Sequence, residues 1–375
     1  MSEEQQGEPG PAPSGPTHRT VAPRTGWLLG GIAALAAIGL SIAALVVALN
    51  NRSAPPSGTS ADAGVPACSA AKVARQELPS VVTIQVLAGE TGGTGSGEVI
   101  DTKGHILTNN HVISAAASGG KVAVIFSDGR TEPATIVGRD PQTDVAVLRV
   151  ADPAGLVPIT FGSSGNLQVG QPVIALGAPL GLASTVTAGI VSALDRSVNV
   201  PADDGTTAIL VAAIQTDAAI NPGNSGGALV NCAGELVGVP SAGATVPTPE
   251  GGSSAGNIGI GFAIPSDFAK TIADEIIANG TVSHGFFGLG VVTIGGDQPG
   301  SQPAGLYVTS VTPAGPAEAA GIRNGDLITE VAGAPATSAE QLLTATLQNR
   351  PGDTVQLTYV RQGATHQADV TLGSR

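Results

Sequence analysis

Positive charge is scarce in this sequence. Its 16 Lys and Arg stand against 29 Asp and Glu, a formal net charge of −13, and no run of five basic residues occurs. A nucleic-acid partner would need clustered cations to meet phosphates, so that class is excluded and the acidic balance speaks to solubility. Aromatic residues are rare as well, at 2%, whereas Gly (53) and Pro (27) are abundant. Small and β-branched residues with few rings suit a turn-rich β protein better than a helical bundle. Cysteine is limited to Cys68 and Cys232, with no Cys-x-x-Cys pair. That excludes a zinc ribbon and a thioredoxin-type motif. The two thiols pair if the domain faces an oxidising compartment and otherwise stay free; the sequence leaves both open. Neither a metal site nor a cofactor is expected.

What is present divides the chain. Its 375 residues allow about two folded domains. Residues 1–26, rich in Gly, Pro, Ser and Glu, read as a disordered cytoplasmic tail. Residues 27–49 are 23 positions without a charge, opened by Trp27, long enough for a transmembrane anchor. The stretch exceeds a signal-peptide core, so an uncleaved anchor is expected. Arg19 and Arg24 before it, against Arg52 after it, set the tail inside and the rest outside the cell membrane. Residues 50–77 read as a linker, with a short helix from about Ser69 to Glu77 that stops before Pro79. From residue 78 to 266 short Val/Ile-rich runs alternate with turn signals, the pattern of a sandwich or barrel. A connecting helix is predicted over 267–279, capped by Ser266 or Asp267 and ended by Gly280. Residues 280–375 form a second small domain. Its helix, Ser338 to Gln348, opens on a capping box made by Thr337 with Glu340 or by Ser338 with Gln341.

Three segments carry the chemistry. Asn221-Pro222-Gly223-Asn224-Ser225-Gly226-Gly227 sets a Ser among glycines. Leu107-Thr108-Asn109-Asn110-His111 places a His after an apolar strand, and Thr143-Asp144-Val145 places an Asp at the head of another. A Ser hydroxyl becomes a useful nucleophile when an imidazole takes its proton, and the imidazole needs a carboxylate partner. The glycines keep side chains away, so the N–H groups of Gly223 and Ser225 are the natural oxyanion donors. The chain order His111, Asp144, Ser225 is that of chymotrypsin-like proteases. An α/β-hydrolase would put Ser first with a helix after it, whereas Ser225 is followed by two strands joined at a turn at Ala233-Gly234. His284 and His366 are expected to be solvated surface residues, and His105 to lie by a Lys103-Gly104 turn.

These segments resemble the HtrA/DegP family of serine endoproteases. The resemblance rests on Gly95-Ser96-Gly97, Leu107 to Ile113, Asp140 to Leu148, the run Gln215 to Gly227, Pro316 to Gly321 and Gly325-Asp326-Leu327-Ile328. It implies a mostly β chain: a chymotrypsin-like double β-barrel followed by one PDZ domain, here behind an N-terminal transmembrane helix. It also implies quality control of unfolded or mislocalised proteins outside the cytoplasm, and a homotrimer. By matching, Ile220 lines the primary specificity pocket, and small to medium aliphatic residues are expected before the cut. Phe286-Phe287-Gly288-Leu289 would bind the C-terminal carboxylate of a peptide and so regulate the protease. Asn224 stands where zymogen-type relatives carry an Asp, so no activation by N-terminal cleavage is expected. The chain departs from the family at Ala178 and Pro240, both expected in loops flanking the site. A non-catalytic scaffold that holds clients in the barrel is the competing reading.

Overall fold

The computed structural model describes residues 68–89, 91–178, 184–201, 207–243, 258–295 and 304–374. The expected tail, the anchor at 27–49 and most of the linker lie outside them. Among the described residues no helix is long and apolar enough to cross a membrane.

Period-two alternation builds two closed barrels that share a seam. In the first, β1 (Val81–Ala88), β2 (Thr91–Val99), β3 (His105–Thr108), β4 (Lys121–Ile125), β5 (Thr131–Asp140) and β6 (Val145–Val150) close in the order β1-β2-β3-β6-β5-β4. One set of alternate residues, including Val82, Ile84, Ile106, Ala146 and Leu148, fills the barrel. The other set, Val81, Leu107, Val145 and Val147, points out into the seam. The second barrel comprises β7 (Pro172–Gly177), β8 (Thr185–Pro201), β9 (Thr207–Thr216), β10 (Ala228–Val230), β11 (Leu236–Gly243) and β12 (Gly261–Pro265), ordered β10-β11-β12-β9-β8-β7. Its Val173, Ala175 and Leu229 face inward, while Ile174, Leu176 and Val230 meet the first barrel. Strands buried on both faces explain why these segments read as apolar runs.

The helix α1 (Ala70–Glu77) starts where expected, with Ser69 Oγ accepting from the Lys72 N–H. Cys68 ahead of it is disulfide-bonded to Cys232, with Cα atoms 5.1 Å apart. After the short α2 (Asn110–Ile113), the connecting helix α3 runs over Ser266–Asn279 and closes on Gly280 in the left-handed region (φ 77°). Its start differs from expectation. Ser266 is the first helical residue, and its hydroxyl donates to the Gly162 carbonyl instead of capping. Pro240 differs too: it lies in β11 opposite Ala263, next to a bulge, and not in a loop.

The last domain has strands β13 (Leu289–Ile294), β14 (Gly305–Val311), β15 (Leu327–Val331), β16 (Ala334–Pro335), β17 (Thr354–Arg361) and β18 (Ala364–Thr371), with helices α4 (Pro316–Ala319) and α5 (Ala339–Gln348). The sheet runs β13-β14-β15-β17-β18, which leaves β13 at an edge. The capping box on α5 is the Ser338–Gln341 pair. This domain touches the second barrel through Leu347, packed on Ile209 and Val211. Asn199 also donates to Glu340 at 2.9 Å, and Arg350 pairs with Glu275 at 2.8 Å.

Candidate active site

Asp144 sits between β5 and β6 with φ of 59°, a left-handed conformation uncommon for residues other than glycine, though Asp adopts it more readily than most. Such a residue costs roughly 1–3 kcal/mol and persists where its surroundings fix it. The Asn109-Asn110 pair does so: Asn109 Nδ2 and the Asn110 N–H both donate to the Asp144 carbonyl, at 2.9 and 3.1 Å. Its carboxylate, 3% exposed, then receives the His111 N–H and His111 Nδ1, each at 2.9 Å. His111 itself is 37% exposed, as a group that must meet a substrate requires. With Nδ1 held by the carboxylate, neutral His111 presents Nε2 as its proton acceptor.

Ser225 comes from the second barrel, and the backbone here is laced to both barrels. The Ser96 N–H donates to the Ser225 carbonyl, and the Gly226 N–H donates to the Pro240 carbonyl, both at 2.9 Å. Gly226 has φ of 77°, and a Cβ there would stand 2.3 Å from the Ser96 carbonyl and from Thr108 Oγ1. Only glycine brings the nucleophile segment this close to the strand that leads into His111. The Ser96 hydroxyl donates to the Gly223 carbonyl at 2.6 Å and accepts from the Ala178 N–H at 2.8 Å. Among the described residues the N–H groups of Gly223 and Ser225 carry no hydrogen bond.

Ser241, which the sequence motifs do not point to, joins the pieces. Its hydroxyl donates to Asp144 Oδ2 at 2.6 Å, and its carbonyl accepts from the Ser225 hydroxyl at 3.2 Å. Among the described residues Ser225 and His111 share no hydrogen bond. In unliganded sites such bonds are often long and tighten with substrate. The site thus holds an imidazole bonded to a buried carboxylate, a hydroxyl joined to that carboxylate through Ser241 and two N–H groups without a partner among the described residues. That set can perform acyl transfer.

The other expected residues fall as follows. Ile220 is buried, and its side chain occupies the space a Cβ on Gly261 would need. Asn224 is buried with its Nδ2 donating to the Ala219 carbonyl at 3.2 Å. His366 is exposed and stacks on Tyr359. His284 is not a solvated residue: its side chain is 7% exposed and its Nε2 lies 2.7 Å from Asp140 Oδ2. His105 is buried too and bonds Asp101. Burial raises the Asp101 pKa, but the hydrogen bonds from His105 and Lys103 outweigh it and leave the carboxyl below its ordinary value.

Glu98 is fully buried, and both its carboxylate oxygens lack partners among the described residues. It pairs across β2 with Val81 and Leu107, whose side chains face the seam, so Glu98 faces the seam as well. Desolvation pushes its carboxyl well above the ordinary value of 4.5, opposed only in part by its own backbone.

At Phe286-Phe287-Gly288-Leu289, Phe287 is a core residue, while Phe286 is half-buried and bridges to Gly373. The Phe287 and Gly288 carbonyls accept from Ala317 and Thr312 N–H groups at 3.0 and 2.8 Å. In a trans peptide the N–H lies opposite the carbonyl, so the N–H groups of Gly288 and Leu289 turn the other way, beside the open edge of β13. That is the arrangement a carboxylate loop with an added strand requires.

Residues 95–239 match the trypsin-like peptidase domain family, and residues 257–372 match the PDZ domain family. The chain is 45% identical over 370 residues to serine protease PepD of Mycobacterium tuberculosis, covering 94% of this chain and 78% of that protein. It is 39% identical over 286 residues to the periplasmic pH-dependent serine endoprotease DegQ of Escherichia coli, covering 75% of this chain and 59% of DegQ. Among solved structures, the HtrA-type protease AlgW with decapeptide superposes with a TM-score of 0.63 at 31% identity, covering 82% of this chain and 99% of that one. The serine endoprotease from Yersinia pestis gives 0.59 at 35%, covering 82% and 98%.

Proposed function

This chain belongs to the HtrA family of trypsin-like serine proteases, and from that premise we propose that it is a membrane-anchored endopeptidase that cleaves unfolded or mislocalised proteins outside the cytoplasm. In this reading Ser225 is the nucleophile, His111 the general base and Asp144 the group that orients the base. Ser225 Oγ attacks the scissile carbonyl as its proton passes to His111 Nε2. The oxyanion is held by the Gly223 and Ser225 N–H groups, and His111 returns the proton to the leaving amine. Water then repeats the sequence on the acyl-enzyme. Ile220 bounds the pocket for an aliphatic side chain before the cut.

The observation that carries the reading is the His111 Nδ1–Asp144 bond to a buried carboxylate, with Ser241 reaching from that carboxylate to Ser225. Residues 27–49 supply the anchor, and the periplasmic naming of DegQ supports an extracytoplasmic active domain. A homotrimer follows from the family resemblance. The PDZ domain captures C-terminal peptides along β13 and regulates cleavage through its contacts with the second barrel; the AlgW structure with a decapeptide supports peptide binding.

The test is digestion of an unfolded protein by the full chain beside a Ser225→Ala control, with and without a panel of C-terminal peptides. Loss of the nucleophile should cost roughly a million-fold in kcat. Equal digestion by both proteins would refute the assignment of Ser225. No digestion by either, with any peptide, would favour the scaffold reading.

A further inference from the structure

We infer that His284 is a positioning residue for Asp144, acting through Asp140 from the point where the chain leaves the protease barrels for the PDZ domain. The inference rests on the triad assignment above and adds a residue to it. The geometry begins with the loop that carries Asp144. Its left-handed φ must be enforced, and the Asn109-Asn110 pair fixes only its far side. On the near side stands Asp140, which is buried. Its carboxylate accepts from the Thr143 hydroxyl, from the Gln142 N–H at 3.2 Å and from His284 Nε2 at 2.7 Å. The first two bonds lie inside the loop and close it on itself. Of the groups bonded to the Asp140 carboxylate, His284 is the one from another part of the protein.

The place His284 comes from gives the bond its interest. Gly138, two residues before Asp140, lets the chain at Gly280 pass so closely that a Cβ would stand 2.3 Å from the Gly280 carbonyl. Four residues later the His284 side chain turns in to Asp140. The next residue, Gly285, donates its N–H to the carbonyls of Asn349 and Thr346 at the end of α5, at 3.0 and 3.2 Å. Phe286 and the carboxylate loop follow at once. The loop of Asp144 and the peptide-binding loop are therefore held through adjacent residues. A second tie runs in parallel: the Ile209 N–H donates to the Gln142 carbonyl at 3.3 Å, and Ile209 packs on Leu347 of α5.

The His284 ring is also held at a cost. Its Nδ1 is buried without a hydrogen-bond partner among the described residues. An unpaired buried polar atom is expensive, and a Leu at this site would avoid it. A merely space-filling role does not explain the ring; a fixed donor aimed at Asp140 does.

The test compares His284→Ala with His284→Gln, whose amide keeps a donor within reach of Asp140. In the full chain in detergent, His284→Ala should lower kcat about tenfold with KM little changed, and His284→Gln should recover most of the loss. A readout independent of turnover uses 15N-histidine labelling on the Ser225→Ala background. There the low-field His111 Nδ1 proton should shift in His284→Ala and stay in place in His284→Gln. An unmoved resonance in His284→Ala overturns the inference, as does a kcat loss that His284→Gln does not relieve. If the unaltered chain shows no Ser225-dependent cleavage, the protease reading falls, yet the resonance comparison still decides whether His284 positions Asp144.

Discussion

Replacing Glu98 by Met probes the seam between the barrels, because it trades a buried carboxyl with no partner for an apolar side chain of similar length. In the folded protein desolvation holds the carboxyl protonated well above its ordinary value of 4.5. In the unfolded chain it ionises near that value. A group whose folded pKa is raised contributes most below the unfolded pKa, and that contribution fades as pH climbs towards the folded pKa. Each pH unit in that window removes up to about 1.4 kcal/mol. Keeping the proton above the unfolded value of 4.5 therefore costs stability that grows with pH up to the folded pKa. The unpaired polar group adds about 1–3 kcal/mol at any pH. Glu98→Met should thus be more stable than the parent, by a margin that widens as pH rises above the ordinary carboxyl value of 4.5. Thermal unfolding followed by far-UV circular dichroism at several pH values measures this. A mutant less stable than the parent at pH 8, or a gap that does not change with pH, would refute the reasoning.

Other outcomes follow from the same structure. Ser241→Ala removes a donor to a buried carboxylate, worth about 1.5–3 kcal/mol. Steady-state kinetics should show kcat lower by roughly tenfold to a hundredfold with KM nearly unchanged, and a change confined to KM would count against it. Cys68→Ser opens the loop closed by the disulfide and should destabilise the protease domain by about 2–4 kcal/mol in denaturant titrations. Reduction of the parent should match it, and an unchanged midpoint in both would contradict the claim.

The sequence exposed much of the site because its chemistry sits on short local motifs. His111, Asp144 and Ser225 each stand in a segment whose neighbours announce them, and the run of small residues after Ser225 reads as strand. What stayed hidden depends on tertiary covering. Ser241 follows a proline in an unremarkable stretch, and its role exists only because β11 returns past Asp144. His284 looked solvated because nothing in Val282-Ser283-His284 shows that Asp140, far away in sequence, comes to cover it. Glu98 follows the small-residue run Gly95-Ser96-Gly97, and its burial comes from the second barrel, which local periodicity cannot sense. The cap of α3 failed for a similar reason: Gly162 claims the Ser266 hydroxyl.

The Cys68–Cys232 bond has a mechanical consequence. It closes a loop 164 residues apart in sequence that contains every strand of the first barrel and β7 to β10 of the second. A pull between the chain ahead of Cys68 and the C-terminus crosses from one sulfur to the other and skips that loop. The load falls on β11, β12 and the domains beyond, while His111, Asp144 and Ser225 lie within the shielded part. Under the proposed N-terminal tether, a pull on the C-terminal domain would leave His111, Asp144 and Ser225 off the line of force until the bridge is reduced.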